Sequence, residues 1–272
     1  MEKKFNYSAA LKQMGVSYLG FVGQSMKLEL SVRKGTMTYG VYLAPANMSG
    51  YEVCPNSEYC REFCLNGSGH NKVDILSGRN RIQQTRIKKT RFLFEHRQAF
   101  VQILCHEIRK WQRIAEQKGM EFSVRFNCTS DISPLFLVDE DSHKNILDIF
   151  PDVQFYDYTK VKGRFRICKT YGNYDLTYSY NGHNEDDCRE VLEQGGKVAV
   201  VFIGKKLPKT FMGYPVEDGN LDDIRYKNSP SSVIGLHYHP TANDYKMVNG
   251  ERVFVEPDTP FVVKEDDSRC EW

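Results

Sequence analysis

From Gly119 onward the chain repeats one pattern, a short β-branched and aromatic run followed by a polar cluster. The runs are EFSVRFN (121–127), VQFYDYT (153–159), YDLTYSYN (174–181), KVAVVFIG (197–204) and SVIGLHYHP (232–240). Between two of them NEDDCREVLEQGG (184–196) reads as a helix, with acids in its first turn and glycines at its end. Strands that alternate with helices imply crossover connections, and crossovers produce parallel pairing. The expected fold is therefore α/β, a mostly parallel (β/α) barrel or partial barrel, with an open doubly wound sheet as the alternative. Polar residues follow the apolar part of each run: Asn127, Ser130 and Asp131; Asp157, Thr159 and Lys160; Ser179 and Asn181; His237 and His239. In parallel α/β folds the strands' carboxyl ends carry function, so these groups are expected at one mouth.

Upstream, KLELSVR (27–33) alternates as a half-buried strand does, and TMTYGVYLAP (36–45) reads as its hairpin partner around Lys34 and Gly35. Residues 1–35 are thus expected as an N-terminal β extension. Apolar residues over 74–118 recur at helical spacing, long enough for two helices with a break near 90. DSHKNILDIF (141–150) reads as a short helix capped by Asp141 or Ser142. Residues 241–272 form an acidic C-terminal extension. With neither an internal repeat nor a low-complexity linker, 1–272 is expected as a single domain. No stretch approaches eighteen apolar residues, and the start lacks a signal peptide's continuous apolar run. The expectation is a cytoplasmic protein with no membrane contact and reduced thiols. A formal charge of +2 says little about partners.

Eight cysteines in a reducing compartment point to metal binding or catalysis more than to disulfides. Three of them, Cys54, Cys60 and Cys64, stand as C-x5-C-x3-C in a polar loop, EVCPNSEYCREFCLNGSGHN. Polar loops wrap iron–sulfur clusters with backbone N–H groups turned to the sulfurs, and three thiolates leave one iron of a [4Fe–4S] cluster open. Structural zinc wants a fourth ligand, for which His70 is the nearby candidate. Cys105 and Cys168 read as buried small residues, Cys168 in a strand-like setting; Cys128 sits at a strand end, and Cys188 and Cys270 read as surface thiols.

Other groups carry their own chemistry. Asp131 and Asp157 at neighbouring strand ends suit a divalent metal or an acid–base pair, and Lys160 suits a carboxylate or phosphate. His237 and His239, two apart, suit a metal or proton transfer. The loop GYPVEDGNLDDIRY holds Asp218, Asp222, Asp223 and Arg225, either as a lid or as an ion pair that pins it. RNRIQQTRIKKTRFLFEHR (79–97) holds seven basic residues and one acid, and Arg79, Arg81, Arg86, Lys88, Lys89 and Arg91 suit nucleic-acid phosphates.

CPNSEYCREFC followed by GSG, the Arg-rich helix, RFNCTSDIS, VQFYDYTK, NYDLTYSYN, KVAVVF and LPKTFMGYPVEDGNLDDIRY ending in VIGLHYH together resemble the phage gene product 88 family, in the same order over about 37–240. The resemblance implies a phage setting, in the host cytoplasm, and no assigned reaction. The three-cysteine loop after an early strand also resembles radical S-adenosylmethionine (SAM) enzymes, although their spacing is C-x3-C-x2-C. That likeness implies a cluster on Cys54, Cys60 and Cys64, SAM as co-substrate, and a flavodoxin or ferredoxin electron donor. It places Gly67, Ser68 and Gly69 against the SAM amino group, and Asn127, Ser130, Ser179 and His237 around the cofactor and a nucleotide or nucleic-acid substrate. Two alternatives stand beside it: a zinc-containing nucleic-acid-binding accessory protein, and a metal-dependent hydrolase or nuclease using the strand-end carboxylates.

Overall fold

The structure, a computed structural model, describes residues 5–61 and 63–272. Among these lie eight α-helices: α1 (Tyr7–Met14), α2 (Met26–Arg33), α3 (Gly69–Leu76), α4 (Arg81–Glu95), α5 (Arg97–Gln117), α6 (Ile146–Ile149), α7 (Phe165–Thr170) and α8 (Glu185–Glu193). The strands are β1 (Gly20–Val22), β2 (Thr36–Val41), β3 (Glu121–Arg125), β4 (Val138–Asp139), β5 (Lys144–Asn145), β6 (Gln154–Thr159), β7 (Tyr174–Ser179) and β8 (Lys197–Phe202), then β9 (Thr210–Phe211), β10 (Tyr214–Asp218), β11 (Ser232–His237), β12 (Tyr245–Val248), β13 (Glu251–Phe254), β14 (Val262–Val263) and β15 (Cys270–Glu271).

Eleven strands form one sheet in the order β1-β2-β3-β6-β7-β8-β11-β10-β9-β15, with β14 on the edge of β8. From β2 to β10 every neighbouring pair is parallel. The antiparallel strands β1, β9 and β15 lie toward its two ends. The path stays open, with no closing pair among the described strands, so the sheet is large and mostly parallel without being a closed barrel.

The side-chain alternation of these strands divides the sheet into two faces. Met37, Tyr39 and Val41, with Val124, Phe155, Tyr174 and Leu176, pack with Phe92, Leu93, Phe100, Ile103 and Ile108 of α4 and α5. Tyr178, Val198, Val200, Phe202 and Val233 continue that face against Cys188, Val191 and Leu192 of α8. The intervening positions are polar: Thr38, Ser123, Arg125, Tyr156, Tyr158, Asp175, Thr177 and Lys197. They meet α2 and the 219–228 loop. Asp223 N donates to Ser31 Oγ at 3.1 Å, and Lys27 Nζ to Gly219 O at 3.0 Å. Gly40 admits α2, because a Cβ there would lie 2.7 Å from Leu28 Cδ1.

Several local expectations are corrected. Residues 27–33 are helix, not strand: Ser25 caps α2 by accepting from Leu28 N, and the buried pair Leu28 and Ser31 has helical spacing. The N-terminal segment is thus two helices around a short strand. The long helical region is broken at 77–80 and again at His96, not near residue 90. Residues 138–145 form a hairpin, and the helix after it starts at Ile146, with Asn145 Oδ1 accepting from Leu147 N and Asp148 N. Cys168 lies in α7 rather than a strand, and Cys188 is fully buried in α8 rather than a surface thiol. The C-terminal segment adds β14 and β15 to the sheet, while β12 and β13 pair with each other as a separate hairpin. β7 pairs with β8 only at Lys197–Ala199, and β14 takes over that edge at Val201 and Phe202. Gly182 lets the segment pass, since a Cβ there would stand 2.5 Å from Pro260.

Candidate functional site

The loop after β2 returns to the strand tips and is tied there. Thr129 Oγ1 donates to Leu43 O (2.6 Å), and Asp131 N to Val53 O (2.8 Å). These ties bring Cys54, Cys60 and Cys64 to the wall of a pocket of about 240 Å³ at the carboxyl ends of β3, β6, β7, β8 and β11. Ala46 N donates to Cys54 Sγ (3.2 Å) and Asn66 N to Cys64 Sγ (3.4 Å). Burial pushes the Cys54 thiol up to about 12, opposed by the Ala46 N–H, while Cys64, Asp131 and Cys60 raise it further. Burial likewise raises Cys64; the Asn66 N–H opposes it, Cys60 adds to it, and Lys160 and Arg86 oppose it. These thiols therefore stay protonated until a cation replaces the proton. The three sulfurs share a pocket without forming a finished ligand set: among the described residues no group of three or more His, Cys, Asp or Glu is arranged to hold a metal ion. The fourth cysteine in the wall is Cys128, also pushed up to about 12 by burial.

The strand-end carboxylates are occupied. Asp131 lines the pocket, but it is paired with Arg164 and accepts from Lys160 N (2.9 Å) and Thr159 Oγ1 (3.2 Å). Asp157 turns away from the pocket and accepts from Asn127 N (2.7 Å), Asn127 Nδ2 (2.9 Å) and Tyr174 OH (3.2 Å). Its burial raises its pKa to about 6, opposed first by the two Asn127 donors. Asn127 Oδ1 accepts from Ser130 Oγ and Ile132 N, each at 2.8 Å. Asn127, Ser130, Asp131 and Asp157 thus splint one another at the strand tips; Asn127, Ser130 and Asp131 line the pocket, and Asp157 lies outside it. Lys160, Ser179, His237 and His239 do line the pocket, and Lys160 Nζ has no ion pair among the described residues.

Gly67, Ser68 and Gly69 belong to a 3-10 turn and the start of α3, and none lines the pocket. His70 is exposed and also outside it. The basic stretch does not present one phosphate-facing stripe. Lys89 is 2% exposed and donates to Leu19 O at 2.7 Å. Arg86 bonds Asn66 Oδ1 and stacks over Tyr42. Arg91 Nε donates to Ser49 O, Lys88 Nζ to Gly15 O and Arg79 Nε to Ser77 Oγ. Arg79, Arg81, Lys88 and Arg91 are exposed, whereas Arg86 and Lys89 serve the interior. Arg225 is 1% exposed and bonded to Asp222, so that pair pins the 219–228 loop.

Sequence reasoning missed two charged pocket residues, Lys27 and Arg125; Asp223, which also lines the pocket, it had named only as part of the 213–226 loop. Arg125 is paired with Asp223 and stacks over Tyr158. Burial lowers the Lys27 pKa to about 8; Asp223 opposes this, and Arg225 and Arg125 add to it. The available signal was the helical spacing of Leu28 and Ser31, which puts Lys27 beside Ser31 at i+4. A larger cavity of about 610 Å³ lies at the amino ends of β7 and β8, where Lys197 pairs with Asp175; it contains none of the loop cysteines.

No helix among the described residues is long and apolar enough to cross a membrane. Among protein families, one described as Gene product 88 matches residues 18–249. No curated protein and no solved structure matches.

Proposed function

The chain belongs to the gene product 88 family, whose description names no reaction, and on that premise we propose that it is an iron–sulfur enzyme acting on a nucleotide or nucleic acid. The observation that carries this is the convergence of Cys54, Cys60 and Cys64 on one strand-tip pocket, with backbone N–H donors already on two of the sulfurs. That donor set suits a soft inorganic centre in its chemistry: it is all sulfur, half-buried, and placed where parallel α/β folds bind ligands, and the three sulfurs would draw together to hold one. A [4Fe–4S] cluster on these thiolates would supply an electron-transfer centre with one iron lacking a protein ligand. Burial disfavours the thiolate form that such a centre requires, and some of the chain's own groups offset part of that cost. The Ala46 and Asn66 N–H groups act on Cys54 and Cys64, and the Lys160 and Arg86 charges act on Cys64. Lys160 also faces the cavity, so it serves cluster and substrate together.

The radical-SAM-like form of this proposal takes SAM as co-substrate and a ferredoxin or flavodoxin as electron donor. It is supported by the cysteine loop following an early parallel strand, and not by the glycines at 67 and 69. The hydrolase alternative lacks its second pocket carboxylate, since Asp157 is held by Asn127 and Tyr174. Purification and reconstitution without oxygen test the proposal. The expected product is a brown protein with iron, sulfide and absorbance near ~400 nm, all lost in Cys54→Ser, Cys60→Ser and Cys64→Ser. A colourless protein with one tightly held zinc would overturn it, as would iron that survives the triple substitution.

A further inference from the structure

The charges around the pocket do not balance. Its two carboxylates are both engaged, Asp131 by Arg164 and Asp223 by Arg125. Arg225 and Lys34 share Asp222. Lys27 has no ion pair among the described residues, although it enters the pocket from α2 between Arg125 and the loop that carries Arg225. Its ammonium makes one hydrogen bond, to Gly219 O, and so keeps two donors in hand. Arg125 Nε is buried without a partner. His237 and His239 complete this corner, and the Lys27 charge lies near enough to His239 to hold its imidazolium below the usual range, second to burial. A half-buried lysine whose nearest carboxylate, Asp223, is already paired with Arg125 is costly unless something anionic joins it. A cation has no vacant carboxylate here, and a neutral ligand leaves the excess charge in place. Lys160 stands apart from this corner as the charge that favours the Cys64 thiolate.

We propose that Lys27, Arg125, His237 and His239 form an anion subsite that takes the phosphate monoester of a mononucleotide. This deepens the nucleotide part of the function proposed above and rests on it, but the subsite itself needs no cluster. An ammonium with two free donors, an unsatisfied guanidinium nitrogen and two imidazoles together offer the several donors that a phosphate's oxygens accept. The phosphate end would sit at the α2 side of the pocket, with the rest of the nucleotide directed toward the cysteine loop.

The test compares AMP with adenosine, which differ only in the phosphate, by titration calorimetry on the full chain both as the metal-free protein and after reconstitution. AMP is expected to bind at least about tenfold more tightly than adenosine, an advantage Lys27→Gln reduces by about tenfold and Lys27→Arg largely retains. Adenosine binding should be unchanged by either substitution. Thermal melts of each variant confirm that it is folded before it is scored, and His239→Gln gives a second, independent variant with the same expected direction. Equal binding of AMP and adenosine, no binding of AMP at millimolar concentration, or unaltered AMP binding in folded Lys27→Gln and His239→Gln would overturn the subsite. AMP discrimination by a chain that takes up no iron would leave the subsite standing and remove the cluster. Iron uptake without AMP discrimination would do the reverse.

Discussion

The two faces of the central sheet solve the same burial problem with opposite chemistry. On the helix-covered face Val124, Leu176, Val198 and Val233 meet α4, α5 and α8 through apolar contact, with Glu107 of α5, which accepts from Tyr39 OH, as a buried polar exception. On the other face Thr38 bonds Ser123 (2.9 Å), Arg125 pairs with Asp223, Tyr156 OH donates to Asp223 (3.3 Å), and Lys197 pairs with Asp175 (2.7 Å). Apolar packing tolerates approximate shape, whereas a buried ionic network requires each member to keep its partner. The first face therefore holds the strands together, and the second sets charges at fixed positions beneath the pocket. Lys27, which has no ion pair among the described residues, lies at the pocket itself.

The sharpest way to break this contrast is Asp223→Ala, which strands Arg125 and should cost about 3–5 kcal/mol in urea unfolding. The double substitution Asp223→Leu with Arg125→Met should regain most of that, and a double variant as unstable as the single one would refute the network account. On the apolar face Leu192→Ala should cost about 3 kcal/mol by leaving a cavity. Leu192→Met should cost less than about 1.5 kcal/mol, because no charge is left behind. A pH series adds a third comparison. Asp157 has a pKa of about 6 when folded, against an ordinary 3.8. The folded chain thus binds the extra proton between those values, and the contribution of Asp157 to stability should fall as pH rises from about 4 to 6, by about 3 kcal/mol. Asp157→Asn should flatten that slope whatever its own cost, and an unchanged slope would show that another group carries it. The smallest effect has the opposite sign. Lys27 is lowered from 10.5 to about 8, so the unfolded chain binds more protons in that window and charging Lys27 penalises the fold below it. At pH 7 Lys27→Met should stabilise the protein by about 1 kcal/mol after allowing for its partial exposure, seen as a higher Tm. A lower Tm would mean that the lysine contributes to folding rather than to a ligand.

The parallel strands were legible because their apolar residues sit on the face that a period of two detects. β3, β6, β7, β8 and β11 all fall within the expected runs, and α8 within its own. The misses belong to the polar face. In α2 one of the two buried residues is Ser31, so the helical stripe is invisible to hydrophobicity and the chance alternation of Met26, Leu28, Leu30 and Val32 looks like a strand. Cys188 reads as exposed among acids, yet Val191 and Leu192 at i+3 and i+4 mark the stripe to which it belongs. At the site, strand-tip polarity located the mouth correctly but not which side chains are free. Asp157 and Lys160 stand three residues apart, and only the partners contributed by Asn127 and Tyr174, distant in sequence, decide that the first is tied and the second open.

Phe261 lines the pocket from just before β14, while Lys27 enters it from the other end of the chain. During vectorial synthesis, the seam between β7 and β8 lacks its last strand until the segment around residue 263 has left the ribosome. A nascent chain that stops before β14 carries the cysteine loop and the strand-tip residues of the pocket but lacks Phe261 and the strand that completes β8's edge. Closure of that side of the pocket is thereby deferred until translation has passed the seam.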